Sequence, residues 1–161
     1  MKKVEITRKL EFDAGHRVYQ HESKCAHVHG HRYTVYLTCR AEDGLDDLGR
    51  VIDFSVLKGV VGKWIDDELD HGMILFKDDP LCQIWGLFGQ NLATAVEVYP
   101  ITNAVGDVGE QKHFIMDSNP TAENMSKLIF EKAQELLKDH PIVMTRVRLY
   151  ETPNCYADYE A

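Results

Sequence analysis

Between Cys25 and His31 the chain reads Cys-Ala-His-Val-His-Gly-His. One thiol and three imidazoles in so short a stretch is a donor density that core packing does not require. His29 and His31 are two apart, so on a strand both project from the same face. His16 lies upstream, at the end of an alternating run. Imidazole nitrogens suit zinc, and three protein ligands with a fourth position open describe a catalytic site, not a closed structural one. The expected metal set is therefore His16, His29 and His31, with Cys25 left unligated for chemistry. A histidine-rich surface turn or an expression-tag remnant fits less well, because the residues are interleaved with strand-type sequence well inside the chain.

Two alternating runs have to position these groups. Val4, Ile6, Leu10, Phe12 and Ala14 hold an even phase that continues to His16 and Val18, with Arg8 as the interruption. Tyr33, Val35, Leu37, Cys39 and Ala41 hold an odd phase that extends back to His31 and His29. Such period-two patterning belongs to half-buried strands. Paired antiparallel, the end of the first lies beside the start of the second, and the imidazoles meet on one face. A third run, Val143, Thr145, Val147, Leu149 and Glu151, brings Glu151 to the same end. A carboxylate there is either at the rim or partnered, and a ligand edge with two adjacent N–H donors would satisfy it. Thr152-Pro153-Asn154 turns into a short last strand, Cys155 to Glu160.

Asp53 is placed to cap a helix with the apolar stripe Leu57, Val60, Val61, Trp64 and Ile65. Gly59 and Gly62 weaken it, so packing must hold it. It runs out at Leu69-Asp70-His71-Gly72, where the glycine suits a stop. Thr121 caps a second helix, with Glu123 favourably placed in its first turn. Met125, Ile129, Ala133 and Leu136 mark its stripe, and Asp139-His140-Pro141 ends it. Between Lys77 and Asp117 the pattern is weak: Leu81 to Gly89 suits a short helix or loop, and Ala95 to Ile101 or His113 to Met116 suits a strand. The order is ββααββ, an α+β class with an antiparallel four-stranded sheet and two helices packed on one face.

The length fits one domain over 1–161, with a core that needs no staples. A net charge of −8 argues against nucleic acid or an anionic membrane as partner. No apolar run reaches membrane-helix length and the start lacks a signal peptide, so a cytoplasmic location is expected. The four cysteines form no CxxC pair and are expected to be free thiols, Cys39, Cys82 and Cys155 acting as small apolar fillers. His27, in the opposite strand phase, falls outside the ligand set.

Several short motifs now combine. Phe12-x-Ala14-x-His16, Cys25-x-x-x-His29-Gly30-His31, Val51-Ile52-Asp53-Phe54, Leu69-Asp70-His71, Asn119-Pro120-Thr121-Ala122-Glu123-Asn124 and Glu151-Thr152 together resemble the 6-pyruvoyl-tetrahydropterin synthase superfamily. The resemblance is closest to its bacterial queuosine branch, the 6-carboxy-5,6,7,8-tetrahydropterin synthases. It implies the tunnelling fold, in which sheets of several subunits join into an oligomeric β-barrel, and a homohexamer built as a dimer of trimers with sites at subunit interfaces. It implies a lyase that converts 7,8-dihydroneopterin triphosphate to 6-carboxy-tetrahydropterin, acetaldehyde and triphosphate. By the same resemblance His16, His29 and His31 hold zinc and Cys25 is the general base. Asp70 and His71 relay protons, Glu151 grips the amino-pyrimidine edge, and Thr121 and Glu123 border the pterin. Without the resemblance, Asp70 and His71 read as an ordinary helix end, and Thr121 and Glu123 as capping residues. The spacing from Cys25 to His29 matches the queuosine branch, while Glu22 stands near where a folate-type branch carries its acid. The 77–117 stretch is an extended insertion relative to the family. A 6-pyruvoyl-tetrahydropterin synthase, a folate-type side-chain lyase, or a non-enzymatic zinc and pterin scaffold are the alternatives.

Overall fold

The computed structural model describes residues 4–84 and 112–161. β1 (Glu5–His16) and β2 (His29–Ala41) form the antiparallel hairpin that the alternation demands. Their register sets His16 opposite His29, Gly15 opposite Gly30 and Ala14 opposite His31. Phe12, Ala14, Tyr33, Val35 and Leu37 are buried on the shared face, so the imidazoles continue the core row beyond its apolar end. A side chain on Gly30 would place its Cβ 3.1 Å from the Ala14 carbonyl oxygen. Glycine between the two histidines thus lets the backbones approach closely.

A helix over 54–68 (α1) opens as expected, the Asp53 carboxylate accepting the Ser55 N–H at 2.8 Å. It is π-wound over Lys58–Gly62, between α-helical Phe54–Leu57 and Lys63–Glu68. Leu57, Val61, Ile65 and Leu69 enter the core. Gly72 is not its stop: the left-handed residue is His71, at φ 58°. Gly72 instead begins β3 (Gly72–Phe76), which runs parallel to β1. A short helix, α2 (Leu81–Ile84), follows, and then β4 (His113–Met116) pairs parallel with β3. The remaining candidate helix residues up to Gly89 and the candidate strand Ala95–Ile101 lie outside the described residues.

α3 (Ala122–Leu136) is capped by Thr121, whose Oγ1 accepts the Asn124 N–H at 3.3 Å. It buries Met125, Ile129 and Ala133 as expected, with the following Leu137 in the core in place of Leu136. β5 (Ile142–Thr152) and β6 (Cys155–Glu160) complete a sheet in the order β4-β3-β1-β2-β5-β6. All four expected antiparallel strands are present, but the sheet is six strands wide. The missed β3 reads Met-Ile-Leu-Phe after its glycine, an uninterrupted apolar run typical of a parallel strand buried on both faces. In β5, Thr38 faces Arg146 and Cys39 faces Met144, which leaves Thr145 as a bulge. The bulge shifts the phase: Ile142 and Met144 are buried, not Val143 and Thr145, whereas Val147 and Leu149 stay inside. All four cysteines are free thiols, Cys39 and Cys82 buried. Cys155 is exposed at the start of β6 and fills nothing. Among the described residues no helix is long and apolar enough to cross a membrane.

Candidate metal centre

The hairpin brings His16, His29 and His31 together: one ring nitrogen from each lies within 4.8 Å of the others. His16 is 1% exposed, while His29 and His31 are half-buried. His16 Nδ1 donates to the Pro120 carbonyl at 2.8 Å, and His29 Nδ1 donates to the His27 carbonyl at 2.7 Å. A carbonyl can only accept, so each Nδ1 carries a proton and Nε2 is the nitrogen each ring turns toward the other. Those two Nε2 atoms face each other at 3.1 Å. Two nitrogens at that distance need a proton or a metal cation between them. Two nitrogens of a tetrahedral zinc site, each about 2.0–2.1 Å from the ion, are separated by about 3.3 Å, close to what is found here. Outer bonds from Nδ1 to carbonyls are also the usual way a ligating imidazole is oriented.

The electrostatics fit the same occupant. Burial pushes His16 down to about 4; the Pro120 carbonyl opposes this, and His29 and His31 add to it. Burial likewise lowers His31, against the pull of Glu151, with His29 adding to the fall. Neutral imidazole is the ligating form. His31 Nε2 is buried without a hydrogen bond and lies 3.4 Å from Glu151 Oε1. Beneath the trio Tyr33 stacks on Phe12, centroids 4.9 Å apart, and its buried hydroxyl also lacks a partner. Burial raises that phenol, and Glu151 raises it further.

The other candidate residues occupy distinct places. Cys25 sits in a 3-10 turn, Lys24–Ala26, fixed where its carbonyl accepts the Val18 N–H at 2.9 Å. Its thiol is outside the donor cluster. His27 is exposed and contributes its carbonyl, not its ring. Glu151 borders a cleft of about 630 Å³ together with His31, Arg32, Tyr36 and Tyr150. Asp70 and His71 form a tight dyad, His71 Nδ1 donating to Asp70 Oδ2 at 2.6 Å while Asp70 Oδ1 accepts the Asp13 N–H at 2.8 Å. Burial works to raise the Asp70 carboxyl, but the Asp13 N–H, His71 and Lys112 outweigh it and hold it below its ordinary range. The His71 ring is largely exposed and borders a second cleft with Asp13, Gly15, Gly30 and Arg32. Ala14 and His31 line that cleft as well, so the dyad opens beside the end of the hairpin that carries the trio. Thr121 spends its hydroxyl on the α3 cap, and Glu123 is exposed in the first turn.

Sequence reasoning missed Pro120, whose carbonyl orients His16, and the Arg17–Asp79 pair. Arg17 grips Asp79 through two nitrogens, Nε at 2.6 Å, and the Asp79 side chain is wholly shielded from solvent. The Asn119-Pro120-Thr121 motif pointed at the first, though only as a helix opening. Nothing in the local pattern joins residues 17 and 79.

A twisted α+β sheet backed by two helices, with three convergent imidazoles at the end of its central hairpin, defines a class of protein whose strand end could hold a metal ion. Residues 5–161 match the family described as 6-pyruvoyl tetrahydropterin synthase, and the chain belongs to that family of enzymes. It is 39% identical over 156 residues to a 6-carboxy-5,6,7,8-tetrahydropterin synthase of Rickettsia conorii, covering 96% of this chain and 99% of that one. Among solved structures it resembles an uncharacterised protein of Wolinella succinogenes, at TM-score 0.79 and 21% identity over 99% of both chains. It also resembles the Caenorhabditis elegans 6-pyruvoyl tetrahydropterin synthase, at TM-score 0.62 and 23% identity over 100% of this chain and 97% of that one. The two structures speak for the tunnelling fold.

Proposed function

We propose that the protein is a zinc-dependent 6-carboxy-5,6,7,8-tetrahydropterin synthase of queuosine and 7-deazapurine biosynthesis. Its substrates are 7,8-dihydroneopterin triphosphate and water, and its products are 6-carboxy-tetrahydropterin, acetaldehyde and triphosphate. The observation that carries the reading is the convergence of His16, His29 and His31, with the Nε2 atoms of His16 and His29 facing each other, in a chain whose full-length relatives bear that name.

His16, His29 and His31 hold the zinc, which when bound polarises the hydroxyl and carbonyl oxygens of the substrate side chain. Cys25, on its anchored turn beside β2, removes and returns side-chain protons. Glu151 accepts the paired N–H donors of the amino-pyrimidine edge, and the backbone around Thr121 and Glu123 borders the ring. Asp70 holds the His71 ring by its Nδ1, which frees Nε2 for proton exchange. The cleft beside the dyad is open and is shared with His31, and by the family resemblance a neighbouring copy completes the site. The assembly assigned by that resemblance is a homo-oligomer, a hexamer of two trimers, working in the cytoplasm.

Incubation with dihydroneopterin triphosphate tests the reading. Stoichiometric acetaldehyde and 6-carboxy-tetrahydropterin are expected. 6-Pyruvoyl-tetrahydropterin, or cleavage to a hydroxymethyl pterin, would reassign the reaction within the family.

A further inference from the structure

The four residues that leave β1 each grip a different part of the molecule. His16 donates to Pro120, Arg17 pairs with Asp79, Val18 donates to the Cys25 carbonyl, and Tyr19 is held by Asn119. The last of these is a two-point clasp. Asn119 Oδ1 accepts the Tyr19 N–H at 2.8 Å, and Asn119 Nδ2 donates to the Tyr19 carbonyl at 3.0 Å. The carboxamide thus stands in for a strand neighbour across a hundred residues of chain. The Asn119 carbonyl is itself fixed, accepting the Asn124 Nδ2 at 2.9 Å and the Thr121 N–H at 2.8 Å. Pro120, locked between these bonds and without an N–H of its own, has one carbonyl direction available. That direction is onto His16 Nδ1.

We infer that Asn119 is a positioning residue for the metal centre: by clasping Tyr19 it holds the Pro120 carbonyl against His16 Nδ1 and so keeps His16 Nε2 bare and aimed at the cation. The inference rests on the zinc reading of the histidine trio. Its physical basis is that tautomer and ring orientation of a metal-ligating imidazole follow from the bond at its other nitrogen. Without the clasp, the 118–121 loop remains attached through the α3 cap, but the Pro120 carbonyl no longer has a fixed place relative to residue 16.

Asn119→Ala tests this against Gln134→Ala, a comparison change on the same helix region. Gln134 Oε1 also accepts a backbone N–H, that of Met144 at 3.1 Å, but on β5 beyond the site. Zinc affinity is measured by competition with a chromophoric chelator, and the visible absorption of the Co²⁺-loaded protein reports ligand geometry. Asn119→Ala is expected to weaken zinc about tenfold and to shift the Co²⁺ bands, with Gln134→Ala within about twofold of the parent. Asn119→Asp, which keeps the acceptor but sets a carboxylate oxygen against the Tyr19 carbonyl, is expected to behave like Asn119→Ala and is read in its place if that variant does not fold. Parent-like affinity and spectrum in both Asn119 variants overturn the inference while leaving the metal reading intact. Equal weakening by Gln134→Ala also overturns it, because the effect is then one of general stability. A parent protein that binds neither metal removes the metal reading and this inference together.

Discussion

His16 Nε2 and His29 Nε2 face each other at 3.1 Å while both rings donate from Nδ1 to backbone carbonyls. The hairpin register thus holds the two nitrogens at a separation that a metal ion between them fits. Zinc bound there is expected to stabilise the folded chain by mass action. At free metal a hundredfold above the dissociation constant the gain is about 2.7 kcal/mol, or roughly 5–10 °C in Tm for a chain of this size. The core lies along the sheet and both long helices, so chelation should leave a folded, inactive protein with unchanged far-ultraviolet dichroism. Loss of secondary structure on chelation would make the site structural.

As the proposed base outside the metal set, Cys25 should separate metal binding from proton transfer. Its thiol lies outside the donor cluster. Cys25→Ala is expected to keep a full complement of zinc by elemental analysis and to lower kcat by at least about a hundredfold, the usual range for losing a general base. Normal turnover in that variant would remove Cys25 from the chemistry.

Glu151 stands between the trio and a cleft, 3.4 Å from His31 Nε2. Glu151→Gln keeps the shape but replaces one acceptor oxygen with a donor. Charge-assisted hydrogen bonds contribute about 1.5–3 kcal/mol each, so kcat/KM for the pterin should fall roughly tenfold to a hundredfold. Zinc content should be unchanged. A variant that binds pterin normally but loses zinc would assign Glu151 to the metal instead.

The parts of this site legible in the sequence were those carried by local periodicity. The even phase to His16 and the odd phase from His29 fix the hairpin, and the hairpin alone brings the three rings together. What was hidden depends on distant partners. Gly72 to Phe76 has no alternation because both of its faces are covered, and its neighbours β1 and β4 are far off in the chain. Thr145 looks like any alternating residue, since a bulge leaves no mark on composition. His71 takes a left-handed backbone beside a glycine that could have taken it; the Asp13 carbonyl, accepting the His71 N–H at 2.6 Å, lies 58 residues upstream.

Asp70 supplies a pH dependence with a definite sign. Its folded-state pKa lies below the ordinary aspartate value, with burial opposing and the Asp13 N–H, His71 and Lys112 prevailing. In the window between the two values the unfolded chain binds more protons, so stability rises with pH there. The contribution is complete above the ordinary aspartate range and is lost as pH falls through the folded value. Asp70→Asn lacks it. Urea midpoints of parent and variant should differ near neutral pH and converge on acidification below about pH 4. A gap that persists to low pH would mean that the carboxylate charge contributes nothing.

Arg17 and Asp79 should respond unequally to being separated. The Asp79 side chain has no exposed surface, whereas that of Arg17 is 21% exposed. Arg17→Met strands a carboxylate in a site water does not reach, with the Leu81 N–H at 2.8 Å as remaining support. Removing one partner of a buried pair costs about 3–5 kcal/mol. Asp79→Asn leaves a guanidinium that solvent can touch, and the amide oxygen still accepts from Leu81, so its cost should be nearer 1–3 kcal/mol. Chemical denaturation of the two variants measures the difference. The opposite ranking would show that the guanidinium, not the carboxylate, is the group the fold shields at the junction between β1 and the 77–84 segment.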